Sequence, residues 1–169
     1  MQTTEYKGIT RIYFYRILST LIKLGNLKNT NKTILDFGCG YGMLKKLLPN
    51  SNVLGYDIVE KWSDVKNWEE VPFDIFVSNQ TFCHLNENEV EKILKKIISL
   101  NPEAKIIVSM SRKSFINKLG MQIFNYKNAY SAYKIDPSQE LLILKKYCKI
   151  IKRKSVFFLS DVYLCEFIK

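Results

Sequence analysis

The chain has a single histidine, His84, in 169 residues. Its four cysteines, Cys39, Cys83, Cys148 and Cys165, include no C-x-x-C pair. That combination leaves too little for a Cys/His zinc site, and no metal is expected. The cysteines read as free thiols of a reducing compartment, which makes the cytoplasm the expected location. No apolar run reaches the roughly 20 residues that span a bilayer, and no signal-peptide pattern is visible. Internal repeats and low-complexity tracts are missing as well. Arginine is scarce too, being confined to Arg11, Arg16, Arg112 and Arg153, although the net charge is +10. Nucleic-acid readers lean on arginine for bidentate contacts to bases and phosphates. Here the positive charge is nearly all lysine, spread over most of the chain beside abundant isoleucine and asparagine, as an AT-rich coding sequence would produce. The densest basic cluster, Lys145-Lys146 through Lys152-Arg153-Lys154, is the candidate patch for an acidic partner.

The apolar fraction of 47% and charged fraction of 25% are those of an ordinary globular chain. The length suits one domain with a substantial core.

Residues 34–42 read Ile-Leu-Asp-Phe-Gly-Cys-Gly-Tyr-Gly. An apolar run ends in Asp36 and then in the alternating glycines Gly38, Gly40 and Gly42. A short helical pattern follows, with Met43, Leu44, Leu47 and Leu48 on one side and Pro49 as a stop. Strand, tight turn and helix form the first unit of a nucleotide-binding α/β sheet. The dinucleotide fingerprint G-x-G-x-x-G requires a third glycine where Met43 stands, so that fingerprint is broken. Asp36 would repel a pyrophosphate but suits a cationic ligand. Asp57 closes a second apolar run, Val53–Tyr56, where an acid commonly meets ribose hydroxyls. Ile58 follows it, placed to lie against an adenine face. An acid for a cation, an acid for a ribose and no phosphate cradle together fit S-adenosylmethionine.

Further along, Phe14, Ile17, Leu18, Leu21 and Ile22 share one face of a helix over 10–24, with Gly25 at the expected C-cap. Phe73–Ser78 reads as a buried strand. Asn86 and Glu89 form a capping box ahead of the stripe Val90, Ile93, Leu94, Ile97, Ile98, and Ala104–Met110 reads as the next strand. Asp136, Pro137 and Gln139 open a helix to about Tyr147. Two strand-like runs, Ile150–Leu159 and Val162–Ile168, follow with only Ser160-Asp161 between them. So short a link predicts an antiparallel hairpin.

This pattern resembles the class I, Rossmann-like S-adenosylmethionine-dependent methyltransferases, small single-domain type. "ILDFGCGYG" resembles the first motif of that family, "GYD" at 55–57 its second-strand acid, and "FDIFVSNQTFCHL" at 73–85 its fourth strand and following loop. The resemblance implies an α/β, three-layer sandwich whose mostly parallel sheet is closed by a C-terminal antiparallel hairpin. It implies a cofactor site from Asp36, Gly38, Cys39, Gly40, Gly42, Asp57 and Ile58, with Asp64 as the nearest acid for the adenine amino group. It places Asn79 and Gln80 against cofactor or substrate, and His84, ten residues after Asp74, as the general base. A helix before the first strand often helps close such a site, and Tyr6, Tyr13 or Arg16 could serve there. The span 58–72 is short for the helix and third strand the family places there. As a single domain, the chain divides into an N-terminal helix and linker (1–32), a cofactor core (33–110), a substrate cap (111–136) carrying Tyr126, Tyr130 and Tyr133, and a helix with the hairpin (137–169). Ser78-Asn79-Gln80-Thr81 replaces the Asn/Asp-Pro-Pro-Tyr/Phe of base-amine methylation, so a small molecule, sugar or lipid-linked acceptor is the first expectation. An RNA or protein acceptor on the lysine patch, and a non-catalytic binding module, remain as alternatives.

Overall fold

The computed structural model describes residues 8–112 and 133–168. Six strands form one sheet in the order β2-β1-β3-β4-β6-β5. They are β1 (Ile34–Phe37), β2 (Val53–Tyr56), β3 (Ile75–Asn79), β4 (Lys105–Ser111), β5 (Cys148–Val156) and β6 (Ser160–Phe167). The first four are parallel; β6 runs antiparallel to β4, and β5 antiparallel to β6. Central β1 is buried along its whole length, whereas β2 alternates, as an edge strand covered on one face does.

Among the described residues, four helices flank the sheet: α1 (Gly8–Gly25), α2 (Met43–Leu47), α3 (Glu87–Leu100) and α4 (Pro137–Tyr147). Ile17, Leu18, Leu21 and Ile22 of α1 pack with Leu44 of α2 onto Ile34, Val77, Ile107 and Val162. On the other face, Val90, Leu94 and Ile97 of α3 and Ile143 and Leu144 of α4 meet Leu35, Phe76, Val108 and Tyr163. The predicted capping box of α3 forms, with Asn86 accepting from the Glu89 amide and Glu89 accepting from the Asn86 amide. Asp136 caps α4 by accepting from the amide of Ser138 at 2.9 Å.

Three local expectations are corrected, at Gly25, Met43 and the hairpin turn. Gly25 does not take the left-handed cap; Asn26 does, at φ 52. A Cβ on Gly25 would stand 2.2 Å from Ile107 Cδ1, so this glycine lets the helix end approach the sheet. Met43 is exposed rather than on the buried side of α2. The span 58–72, short as the sequence implies, holds two 3-10 turns, Glu60–Trp62 and Trp68–Glu70, in place of a helix and third strand. Trp68 fills in for them, with its ring centroid 5.5 Å from that of Phe37 and 6.2 Å from that of Phe76. Finally, the hairpin turns at Phe157, Phe158 and Leu159, not at Ser160-Asp161. The two polar residues lie inside β6 because they are buried and partnered there. Asp161, 3% exposed, accepts from Arg153 Nη2 at 2.7 Å and Ser155 Oγ at 2.6 Å.

Candidate active site

The glycine turn leaves β1 at the carboxyl edge of the sheet, where ligands bind in open α/β folds. Gly38, Gly40 and Gly42 all have positive φ, at 77, 51 and 66 degrees. Their surroundings differ. A Cβ on Gly38 would strike Thr81 Oγ1 at 2.3 Å, so Gly38 serves packing. Cβ atoms on Gly40 and Gly42 would meet nothing within 4 Å, so those two present bare backbone to open space. The turn is held by its neighbour strand. The amides of Gly38 and Cys39 donate to the Tyr56 carbonyl, at 2.7 and 3.1 Å.

Asp57 finishes the job. One of its carboxylate oxygens accepts from the Gly40 amide at 3.0 Å, and the other from the Val59 amide at 3.0 Å. Its own amide donates to Ser63 Oγ at 2.6 Å. Each oxygen retains acceptor capacity for a ribose hydroxyl. Ile58 beside it is 90% exposed, an apolar side chain standing open at the rim.

Asp36 is 4% exposed and lines the pocket below the turn. Burial, and then the charges of Asp57 and Asp64, push its carboxyl up to about 7. A cation placed beside such a buried carboxyl would favour its ionised form. The pocket has a volume of about 280 Å³ and is also lined by Cys39, Gly40, Tyr41, Gly42, Lys45, Gly55, Trp62 and Asp64. Burial and the three carboxylates push the Cys39 thiol up to about 12, so it is a packing group and not a nucleophile. Gly55 makes room for it, since a Cβ there would meet Cys39 Sγ at 2.8 Å.

Asp64 lies in this pocket but already has partners. Its backbone amide donates to the Gly55 carbonyl at 2.8 Å, and its carboxylate accepts from the Gly55 amide at 2.8 Å and from Lys45 Nζ at 2.7 Å. It thereby supplies the exposed edge of β2 with one residue's worth of neighbouring strand. Burial opposes its ionisation, yet the Lys45 hydrogen bond and the Gly55 amide hold its carboxyl below the usual carboxylate range. Tyr41 and Trp62, whose ring centroids lie 4.9 Å apart, close the same side. Sequence reasoning passed over both rings; their only signal was an aromatic beside each arm of the acid-and-glycine motif.

A second polar cluster occupies the tops of β3, β4 and β6. Asn79 accepts from Ser109 Oγ at 2.7 Å. Gln80, at φ 56 in the left-handed region, accepts from Ser111 Oγ at 2.9 Å and donates to Ser160 Oγ at 3.2 Å. Ser160 in turn bonds the Tyr13 hydroxyl, and Ser111 bonds the Tyr133 hydroxyl at 2.9 Å. The His84 ring meets Tyr133 edge-on with centroids 5.8 Å apart. So α1, three strand ends and the start of α4's approach are tied together by one chain of hydroxyls and an amide. Of the three candidates from the N-terminal segment, Tyr13 on α1 is the one tied to this chain; Arg16 is exposed, and Tyr6 lies outside the described residues. Tyr126 and Tyr130 of the expected cap also lie outside them. The serines Ser109, Ser111 and Ser160 had been missed, because a serine at a strand end has no distinctive sequence signal.

The residues fit a sulfonium cofactor on two observations: open volume over Gly40 and Gly42, and a buried carboxyl whose proton a cation would displace. A larger hollow of about 440 Å³, lined by Thr33, Glu70, Phe73, Asp74 and Asn101, lies at the opposite edge, where the parallel strands begin.

Residues 9–155 match the family described as Methyltransferase domain. No curated protein matches the chain. Among solved structures, magnesium protoporphyrin IX methyltransferase (ChlM) from Synechocystis PCC 6803 superposes with a TM-score of 0.62 at 17% identity, over 98% of this chain and 90% of that one. A SAM-dependent methyltransferase from Aquifex aeolicus gives 0.65 at 17%, over 89% of each chain. The small RNA methyltransferase HEN1 gives 0.67 at 16%, over 100% of this chain but 27% of that one. At such identities these likenesses establish the fold, and the match over residues 9–155 establishes the family: the chain belongs to the Rossmann-like, S-adenosylmethionine-dependent methyltransferases.

Proposed function

We propose that this enzyme methylates a small-molecule, sugar or lipid-linked acceptor at the carboxyl edge of its sheet. The observation that carries the reading is the pairing of bare backbone at Gly40 and Gly42 with carboxylates at Asp36 and Asp57. In this reading Asp57 holds the ribose hydroxyls, Ile58 rests against the adenine, and Asp36 faces the charged methionine portion. Asp64 borders the adenine end from its place on the β2 edge. The cofactor supplies a methyl group already activated on a positively charged sulfur, so the protein's tasks are alignment, exclusion of water and removal of a proton. Asn79 and Gln80, fixed by Ser109, Ser111 and Ser160, set the wall between cofactor and acceptor. His84 takes the acceptor's proton, with Tyr133 beside it orienting the ring or the acceptor. Magnesium protoporphyrin IX methyltransferase is named for a small-molecule acceptor, in keeping with this choice.

Calorimetry with S-adenosylhomocysteine and with NAD tests the core of the reading. S-adenosylhomocysteine should bind wild type, and Asp57→Ala should weaken it by about tenfold or more through loss of two charge-assisted hydrogen bonds. NAD should not bind. Equal affinity in wild type and Asp57→Ala would remove the site map. For His84, the His84→Gln variant should lose turnover while keeping cofactor affinity.

The net charge of +10 supports a second reading, an RNA acceptor. That reading requires RNA binding that falls steeply with salt. Failure to bind RNA at low ionic strength eliminates it.

A further inference from the structure

The turn between β5 and β6 is built from residues that suit it poorly. Phe157 and Phe158 both sit in the left-handed region, at φ 51 and 58. Tight hairpins put asparagine, aspartate or glycine at such positions, because a Cβ there crowds the following carbonyl. Both rings are also out in solvent, at 52% and 67% exposure. Two strained, exposed phenylalanines contribute little to the fold that Asn-Gly would not do better.

Their place in the molecule gives them a use. Ser111, the last residue of β4, pairs with Ser160, and the Arg112 amide donates to the Leu159 carbonyl at 2.8 Å. The turn therefore projects at the carboxyl edge, beside the Tyr13–Ser160–Gln80 chain of the active site. Behind it, β5 carries Lys149, Lys152, Arg153 and Lys154, all exposed. Lys154 starts about 10 Å from the tip at strand spacing, within about a Debye length of whatever the tip touches, and Lys152, about 16 Å back, adds to it more weakly. Lysines alone on an edge strand would only guard it against pairing with another sheet. Lysines behind a convex apolar tip make an amphipathic surface.

We propose that this hairpin tip docks the enzyme on an anionic lipid bilayer, the two phenylalanines entering the headgroup boundary while Lys152 and Lys154 meet lipid phosphates. Charge complementarity selects an anionic surface, and the shape selects a deformable one. Stacking of nucleic-acid bases uses ring faces set along a groove, whereas adjacent side chains on a protruding turn form a wedge. This inference rests on the surface, not on the cofactor pocket, and stands or falls apart from the methyl-transfer reading.

The test compares wild type with the paired variant Phe157→Asn, Phe158→Gly. Wild type should sediment with phosphatidylglycerol–phosphatidylcholine vesicles and not with pure phosphatidylcholine at the same salt. The paired variant should lose that partition by about tenfold or more. It should also melt no lower than wild type, because it relieves two strained residues. Lys152→Glu with Lys154→Glu should weaken vesicle binding without changing S-adenosylhomocysteine affinity. The proposal is overturned if wild type ignores anionic vesicles, or if the paired variant binds them as well as wild type. A lower melting temperature of the paired variant would also overturn it, since the rings would then be packed by the chain itself. Phenylalanine-dependent binding of polyuridine in place of vesicles would overturn it in favour of RNA.

Discussion

At the scale of single residues, three glycines with positive φ have two different jobs. Gly40→Val has space within the protein but not once a ligand lies on the loop. It should abolish S-adenosylhomocysteine binding in calorimetry while lowering stability only by the 1–3 kcal/mol of a strained left-handed residue. Gly38→Ala should behave oppositely, because its Cβ would drive into Thr81; it should show a lowered melting temperature even without ligand. Asp36 gives a proton signature. Its carboxyl stands near 7 through burial and neighbouring acids, so at pH 7 it is partly protonated. A cationic ligand favours the carboxylate, and binding must expel that proton. Titrations with S-adenosylmethionine in buffers of different ionisation enthalpy should show proton release near pH 7, and affinity rising with pH through that region. Asp36→Asn should erase both effects. The motif around these residues could be read directly because each requirement is local: the backbone conformation depends on the glycine itself and its immediate neighbours.

At the scale of elements, reading succeeded where a segment's pattern reflects its own burial and failed where distant partners override it. The α3 stripe and capping box were legible because helix periodicity and a cap are written within a few residues. The β5–β6 turn was misplaced because Ser160 and Asp161 look like turn residues. Tyr13, far away in sequence, satisfies Ser160 inside the sheet instead, and Arg153 and Ser155 reach Asp161 only because β5 pairs back along β6. The compressed span 58–72 hid the role of Trp68 for the same reason. Trp68→Ala removes the ring that covers Phe37 and Phe76, and should cost about 3–5 kcal/mol in chemical denaturation. In α4, Glu140 is 1% exposed, and one carboxyl oxygen has no hydrogen-bond partner. Burial pushes its carboxyl up to about 8. Glu140→Gln should therefore stabilise the enzyme at pH 8 while leaving it nearly unchanged at pH 5, as read by thermal melts at the two values.

Over the whole molecule, buried acids set the pH behaviour. Asp36 and Glu140 have folded-state values near 7 and 8, above their unfolded values near 4. The unfolded chain binds fewer protons than the folded one between those limits, so stability falls as pH rises from about 5 to 8 and levels off beyond. Asp64 and Glu91 are held low and contribute fully by pH 5, so they do not reverse this slope. The ligand-free enzyme should accordingly melt highest near pH 5. Saturating S-adenosylmethionine should raise the melting temperature more at pH 8 than at pH 6, because the cation compensates Asp36. A flat profile between pH 5 and 8 in the ligand-free enzyme would contradict this account. By itself the amino-acid order determined the strand–glycine–helix opening, the acids at the ends of the first two strands, the alternation that makes the first four strands parallel and the antiparallel close, since all of these arise from backbone sterics and short-range periodicity. Only tertiary packing decided that Asp64 completes an edge strand, that Tyr13 and three serines tie Gln80 in place, and that phenylalanines rather than polar residues form the last turn. Those outcomes depend on which groups meet across the sheet, and a side chain's neighbours in space are set by the folded chain rather than by its neighbours in sequence.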